Sequence, residues 1–106
     1  MNLLLRPTVL TGEKLKDDYC VIHEGRRVGR IMLASERSWQ GVMVWEWHVN
    51  PPLPIPPWCN GDAESLEAAK TKFKAAWERF YASLTPELIQ HWHHTDDRQS
   101  NTSSKG

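Results

Sequence analysis

Tyr19-Cys20-Val21-Ile22-His23-Glu24-Gly25-Arg26-Arg27-Val28-Gly29-Arg30-Ile31-Met32-Leu33 is the stretch on which the fold turns. Residues 19–24 are rich in β-branched and aromatic side chains, and so are the residues that follow Arg27. Between them, Glu24-Gly25 or Gly25-Arg26 supplies a two-residue turn in which glycine accepts positive φ. Both placements pair residues whose numbers add to an odd total, so both predict the same facial sorting. A third strand over residues 42–49 follows the polar loop 36–41. Alternation then predicts a core face of Cys20, Ile22, Gly29, Ile31, Leu33, Met43, Trp45, Trp47 and Val49. The opposite face collects Tyr19, Val21, His23, Val28, Arg30, Met32, Val42, Val44, Glu46 and His48. Its valines and methionine, Val21, Val28, Met32, Val42 and Val44, form an apolar patch of a kind soluble monomers rarely leave in water. The expectation is that two copies meet there, or else that the 86–94 helix lies over it.

Outward from the hairpin, residues 3–10 offer an edge strand weakened by Pro7. Downstream, Pro51-Pro52-Leu53-Pro54-Ile55-Pro56-Pro57 excludes helix and central strand, and its PxxP spacings read as a rigid connector. Ser65 is a predicted N-cap, and Leu66, Ala69, Phe73, Ala76, Trp77, Phe80 and Leu84 recur at helical spacing. Thr85-Pro86-Glu87 starts a short second helix carrying Leu88, Ile89 and Trp92. The expected fold class is α+β: a three- or four-stranded antiparallel sheet in β-β-β-α order, one main amphipathic helix on one face, and a short C-terminal helix. Residues 1–94 are expected as a single domain and 95–106 as a disordered polar tail.

Charge narrows the function classes. Thirteen basic and thirteen acidic residues cancel, which disfavours a generic phosphate-backbone binder and leaves copies of the chain free of mutual repulsion. Cys20 and Cys59 lack metal or redox spacing. The N-terminal residues show no basic segment followed by an apolar run, so the expected location is the cytoplasm, with no membrane partner.

Six tryptophans in 106 residues suggest a stacking platform, although Trp45, Trp47 and Trp77 fall on predicted core positions. Trp39 and Trp58 sit in loops and are candidate binding residues. Arg30, Glu46 and His48 share a face, with Arg30 opposite Glu46 if Leu33 pairs with Met43; such a trio suits acid–base work or a cross-strand charge pair. His91, His93 and His94 crowd one segment, but two imidazoles at i,i+3 fall short of a metal site. No motif for nucleophilic catalysis, phosphate cradling or dinucleotide binding is present, so no catalytic residue, metal or cofactor is expected.

The ordered set Arg6-Pro7, Asp18-Tyr19-x-Val21, Val28-Gly29-Arg30-Ile31, Trp45-x-Trp47, Gly61-x-Ala63 and Ala69-x-x-x-Phe73-x-x-x-Trp77 resembles a family of small, uncharacterised bacterial proteins across roughly residues 4–80. Glu24-Gly25 fits that family's acidic-Gly hairpin, while the proline-rich connector and the chain after residue 84 depart from it. The resemblance implies a fold and no activity. The expected function is a non-enzymatic interaction domain that self-associates through the second sheet face. The alternative is a small-ligand or single-stranded nucleic-acid binder using that face and the loop indoles.

Overall fold

A computed structural model describes the backbone of residues 2–105 and the side chains of residues 2–99. Five strands, β1 (Leu4–Leu10), β2 (Glu13–His23), β3 (Arg26–Leu33), β4 (Trp45–Val49) and β5 (Asn60–Ala63), form one antiparallel sheet in sequential order. Helices α1 (Leu66–Ala82) and α2 (Pro86–Lys105) follow. The fold is therefore α+β as expected, with more strands than the sequence pattern announced. β1 pairs with β2 despite Pro7, whose missing donor is tolerable on an edge strand. β5 is built from Asn60-Gly61-Asp62-Ala63, of which the first three are turn formers; its pairing to β4 overrides weak intrinsic preference.

The β2–β3 hairpin turns at Glu24-Gly25, with φ of 49° and 78°, and His23 pairs with Arg26 and Ile22 with Arg27. One residue later the register shifts, so that Val21 pairs with Gly29 and Val28 becomes the extra residue of a β-bulge. The bulge reverses the parity expected for β2. Tyr19 and Val21 join Gly29 and Ile31 on the core side, whereas Cys20 and Asp18 turn to the other face. Val21 and Val28 are both fully buried. Each contributes about 1.5–3 kcal/mol of burial, more than the roughly 0.5–1.5 kcal/mol of one ladder hydrogen bond, so the irregular pairing is the stable one. The apolar patch expected on the second face is accordingly absent: two of its five members line the core.

The third strand also starts later than expected. Trp39 and Val42 exchange backbone hydrogen bonds of 3.0 and 2.9 Å around Gln40-Gly41, making a small hairpin outside the sheet. Leu33 consequently pairs with Trp45 rather than Met43, and Arg30 faces His48 while Met32 faces Glu46. Val42 projects into solvent, and Val44 is half-buried with its carbonyl accepting from the Ala34 N–H at 2.8 Å.

The core lies between the sheet and α1. Ser65 caps the helix by accepting from the Ala68 N–H at 3.0 Å. Ala69, Phe73, Ala76, Trp77 and Phe80 face inward, onto Val21, Ile31, Trp45, Trp47 and Val49. Two glycines make room for rings: a Cβ on Gly29 would collide with the Phe73 ring and the His48 carbonyl, and one on Gly61 would lie 2.9 Å from Trp47 Cζ2. α2 packs beside α1 through Trp92, whose ring meets Trp77 edge-on at 5.6 Å. Arg26 ties the same helix to the hairpin by donating to Asp96 at 2.9 Å and Asp97 at 2.8 Å. The stretch expected as a disordered tail thus continues α2 through Lys105, with Gly106 outside the described residues. α2 does not cover the second sheet face.

Candidate functional site

The bulge at Val28 and a wider irregularity in β1–β2 together build the open face of the sheet. Pro7 pairs with Tyr19 and Val9 with Lys14, so four residues of β2 stand against Thr8 alone. Asp17 takes φ of 55° within this excursion, and Asp18 swings onto the open face. There it accepts from Thr8 Oγ1 at 2.7 Å, from Arg30 Nε at 2.8 Å, and from Arg30 Nη2. The bidentate Arg30 contact holds the Asp18 carboxyl below the usual carboxylate range, against the opposing effect of burial.

Two transverse rows cover this face. One reads Arg6, Cys20, Arg30, His48, Asn60 across β1 to β5, and the next reads Asp18, Met32, Glu46, Asp62 across β2 to β5. Arg37, from the β3–β4 connection, reaches over the second row and donates to Glu46 Oε2 at 2.6 Å and to Asp62 at 2.6 and 3.1 Å. This pairing depresses the Asp62 carboxyl and raises the Arg37 guanidinium. The expected Arg30–Glu46–His48 trio is not assembled. Arg30 is engaged by Asp18, Glu46 by Arg37, and His48 Nε2 stands 3.9 Å from Glu46 Oε1, beyond hydrogen-bond reach. Asp18 is matched by Arg30, and Glu46 and Asp62 by Arg37, and no Trp, Tyr or Phe stands in either row.

The two loop tryptophans separate cleanly. Trp58 is half-buried, with the Arg79 guanidinium 3.9 Å from its ring centroid and Phe80 edge-on at 6.5 Å, so it packs. Trp39 is 73% exposed on the small hairpin, beside Val42 at 65% and Met43 at 42%. In a meander, the β1–β2 and β3–β4 connections lie at the same end of the sheet. That end also carries Val9 and Leu10, both more than half exposed, whereas α2 occupies the other end.

Cys20 is half-buried on the open face, 3.6 Å from Thr8 Oγ1, and Cys59 is buried in the core, where desolvation pushes its thiol pKa up. His93 packs against Trp92 at 4.7 Å between ring centroids, and His91 and His94 are exposed. Among the described residues no three His, Cys, Asp or Glu side chains converge to hold a metal, and no helix is long and apolar enough to cross a membrane.

Sequence reasoning missed Thr8, Asp18, Arg37 and Asp62 as members of the charged face. Comparison with protein-family models, with curated proteins and with solved structures gives no match to this chain.

Proposed function

We propose that this chain is a non-enzymatic interaction domain whose contact surface is the Trp39 hairpin, and that the partner is a second copy of the chain. The observation that carries the reading is the triplet Trp39, Val42 and Met43, exposed together on a backbone fixed by two mutual hydrogen bonds. An exposed indole on a short, rigid turn contributes large contact area at little cost in conformational entropy. Burying it in a contact would remove an apolar surface that the fold itself leaves uncovered. A net charge of zero leaves no electrostatic barrier between copies. The open sheet face, where Asp18 pairs with Arg30 and Arg37 with Glu46 and Asp62, suits a solvated face or the polar rim of such a contact better than its centre.

Sedimentation equilibrium at low and high micromolar concentration tests this. The wild type should show a mass that rises with concentration, and Trp39→Ser should sediment as a monomer with an unchanged melting temperature. A wild type that stays monomeric throughout would remove the second copy as the partner. An association left intact by Trp39→Ser would remove the hairpin as the surface.

A further inference from the structure

The two helices are held by very different means. α1 buries five side chains, Ala69, Phe73, Ala76, Trp77 and Phe80. Of the α2 side chains described, residues 86–99, only Trp92 is buried. Ile89, His93, Thr95 and Asp96 are half-buried and the rest are exposed, Leu88 among them. Trp92 seats its ring edge-on against Trp77 at 5.6 Å. From β3, Arg26 reaches across and donates to the His93 carbonyl at 3.4 Å, to Asp96 at 2.9 Å and to Asp97 at 2.8 Å. These contacts are partly solvated, the Asp97 side chain being 63% exposed, so salt weakens them.

Docking also buries polar groups that find no protein partner. Among the described residues, Trp92 Nε1 and, in the layer beneath it, Trp77 Nε1 and His23 Nδ1 are buried without a hydrogen bond to protein. Taking a donor from water without giving it an acceptor offsets part of what the buried ring contributes. A helix with one buried side chain, held in part by solvated ion pairs, belongs to the low-stability end of a fold. The joint between the helices suits independent movement. Ser83 ends α1, its N–H donating to the Phe80 carbonyl at 3.0 Å, and Thr85 starts α2 by accepting from the Leu88 N–H at 3.2 Å. Each helix is thus finished by its own neighbours, and residues 83–85 can bend without loss of either end. We infer that α2 is a latch, which swings off as one unit about residues 83–85 while the sheet and α1 stay folded, and that the Arg26 clasp on Asp96 and Asp97 sets how often it opens. Opening uncovers the facing rings of Trp77 and Trp92, at the end of the sheet opposite the Trp39 hairpin. The latch and its test are therefore independent of the self-association reading.

Native-state hydrogen exchange on the full chain, followed residue by residue, reads the opening directly. Amides of residues 90–97 should exchange through one shared opening, roughly a hundredfold or more faster than those of residues 73–80 once intrinsic rates are removed. Raising salt from about 0.05 to 0.5 M should accelerate that opening severalfold. Arg26→Gln should open α2 roughly three- to tenfold more often and lose most of the salt response, with wild-type rates in α1 and the sheet. Trp92→Ala should strip protection from α2 alone. Equal protection of the two helices would overturn the inference, as would a Trp92→Ala chain that also loses protection in α1 and the sheet. Rates graded smoothly from residue 90 towards the C-terminus would show fraying in place of a latch. Exchange in α2 unchanged by Arg26→Gln would remove the clasp, and either of these results also overturns the inference.

Discussion

The two faces of the sheet are built on opposite principles. On the covered face, shape decides: Phe73 lies over Gly29 and Trp47 against Gly61, so large rings meet the smallest residue at the same point of the pleat. On the open face, charge decides: Asp18 answers Arg30, and Arg37 answers Glu46 and Asp62. Packing on the first face tolerates almost no change of volume, whereas the ion pairs on the second are partly solvated and individually modest. The difference teaches that stability resides in the glycine–aromatic layer, and that the open face and the hairpin tip are free to change without loss of the fold.

The sharpest way to break that contrast is to remove the centre of the covered face. Trp77 is fully buried and touches His23, Phe80, Tyr81 and Trp92. Trp77→Ala should cost about 3–5 kcal/mol, close to the whole stability of a small domain, and should abolish the cooperative thermal transition. A variant that still melts cooperatively near the wild-type temperature would deny α1 and α2 their shared packing.

The strongest contact on the open face should matter less. Asp18→Asn keeps the shape but removes the charge opposite Arg30, and should cost roughly 1–3 kcal/mol in chemical denaturation. The pH dependence follows from the sign of the shift. The Asp18 carboxyl is depressed in the folded chain, so its contribution is complete above the ordinary carboxylate range near about 4 and is lost as pH falls through the lower folded value. Wild-type stability should therefore decline more steeply below that range than the stability of Asp18→Asn, and parallel acid limbs would contradict the pairing. At the foot of the scale, Trp39→Ser should change stability by no more than about 0.5 kcal/mol, because its indole is 73% exposed. A larger loss would mean that the hairpin is packed rather than presented.

The covered face was legible in the sequence in large part. The 3–4 spacing from Leu66 to Phe80, the Ser65 cap, and the inward Trp45 and Trp47 all follow from periodicity and capping chemistry, and the structure places each accordingly. The open face was not. Its composition depends on two departures from regular pairing, the single residue at Val28 and the excursion before Asp18, and a bulge leaves no mark in an alternation pattern except that the pattern fails. A one-residue slip was enough to move Val21 from an imagined surface into the core and Cys20 the opposite way. The β3–β4 connection was misjudged for a related reason: Trp39-Gln40-Gly41-Val42 closes its own turn, delaying β4 until Trp45. β5 was hidden because Asn60, Gly61 and Asp62 have turn chemistry and gain strand geometry only from their neighbour.

Val21 and Val42 share one face under regular alternation and part company under the bulge, so placing Glu at each, in parallel, is the most direct test. The account predicts that Val21→Glu, which inserts a carboxylate into a fully buried site, yields an unfolded chain. It predicts that Val42→Glu yields a folded monomer that melts with the wild type. If circular dichroism and sedimentation show both variants folded and both monomeric, the two valines lie on one exposed interface, and the division of the sheet described above is contradicted.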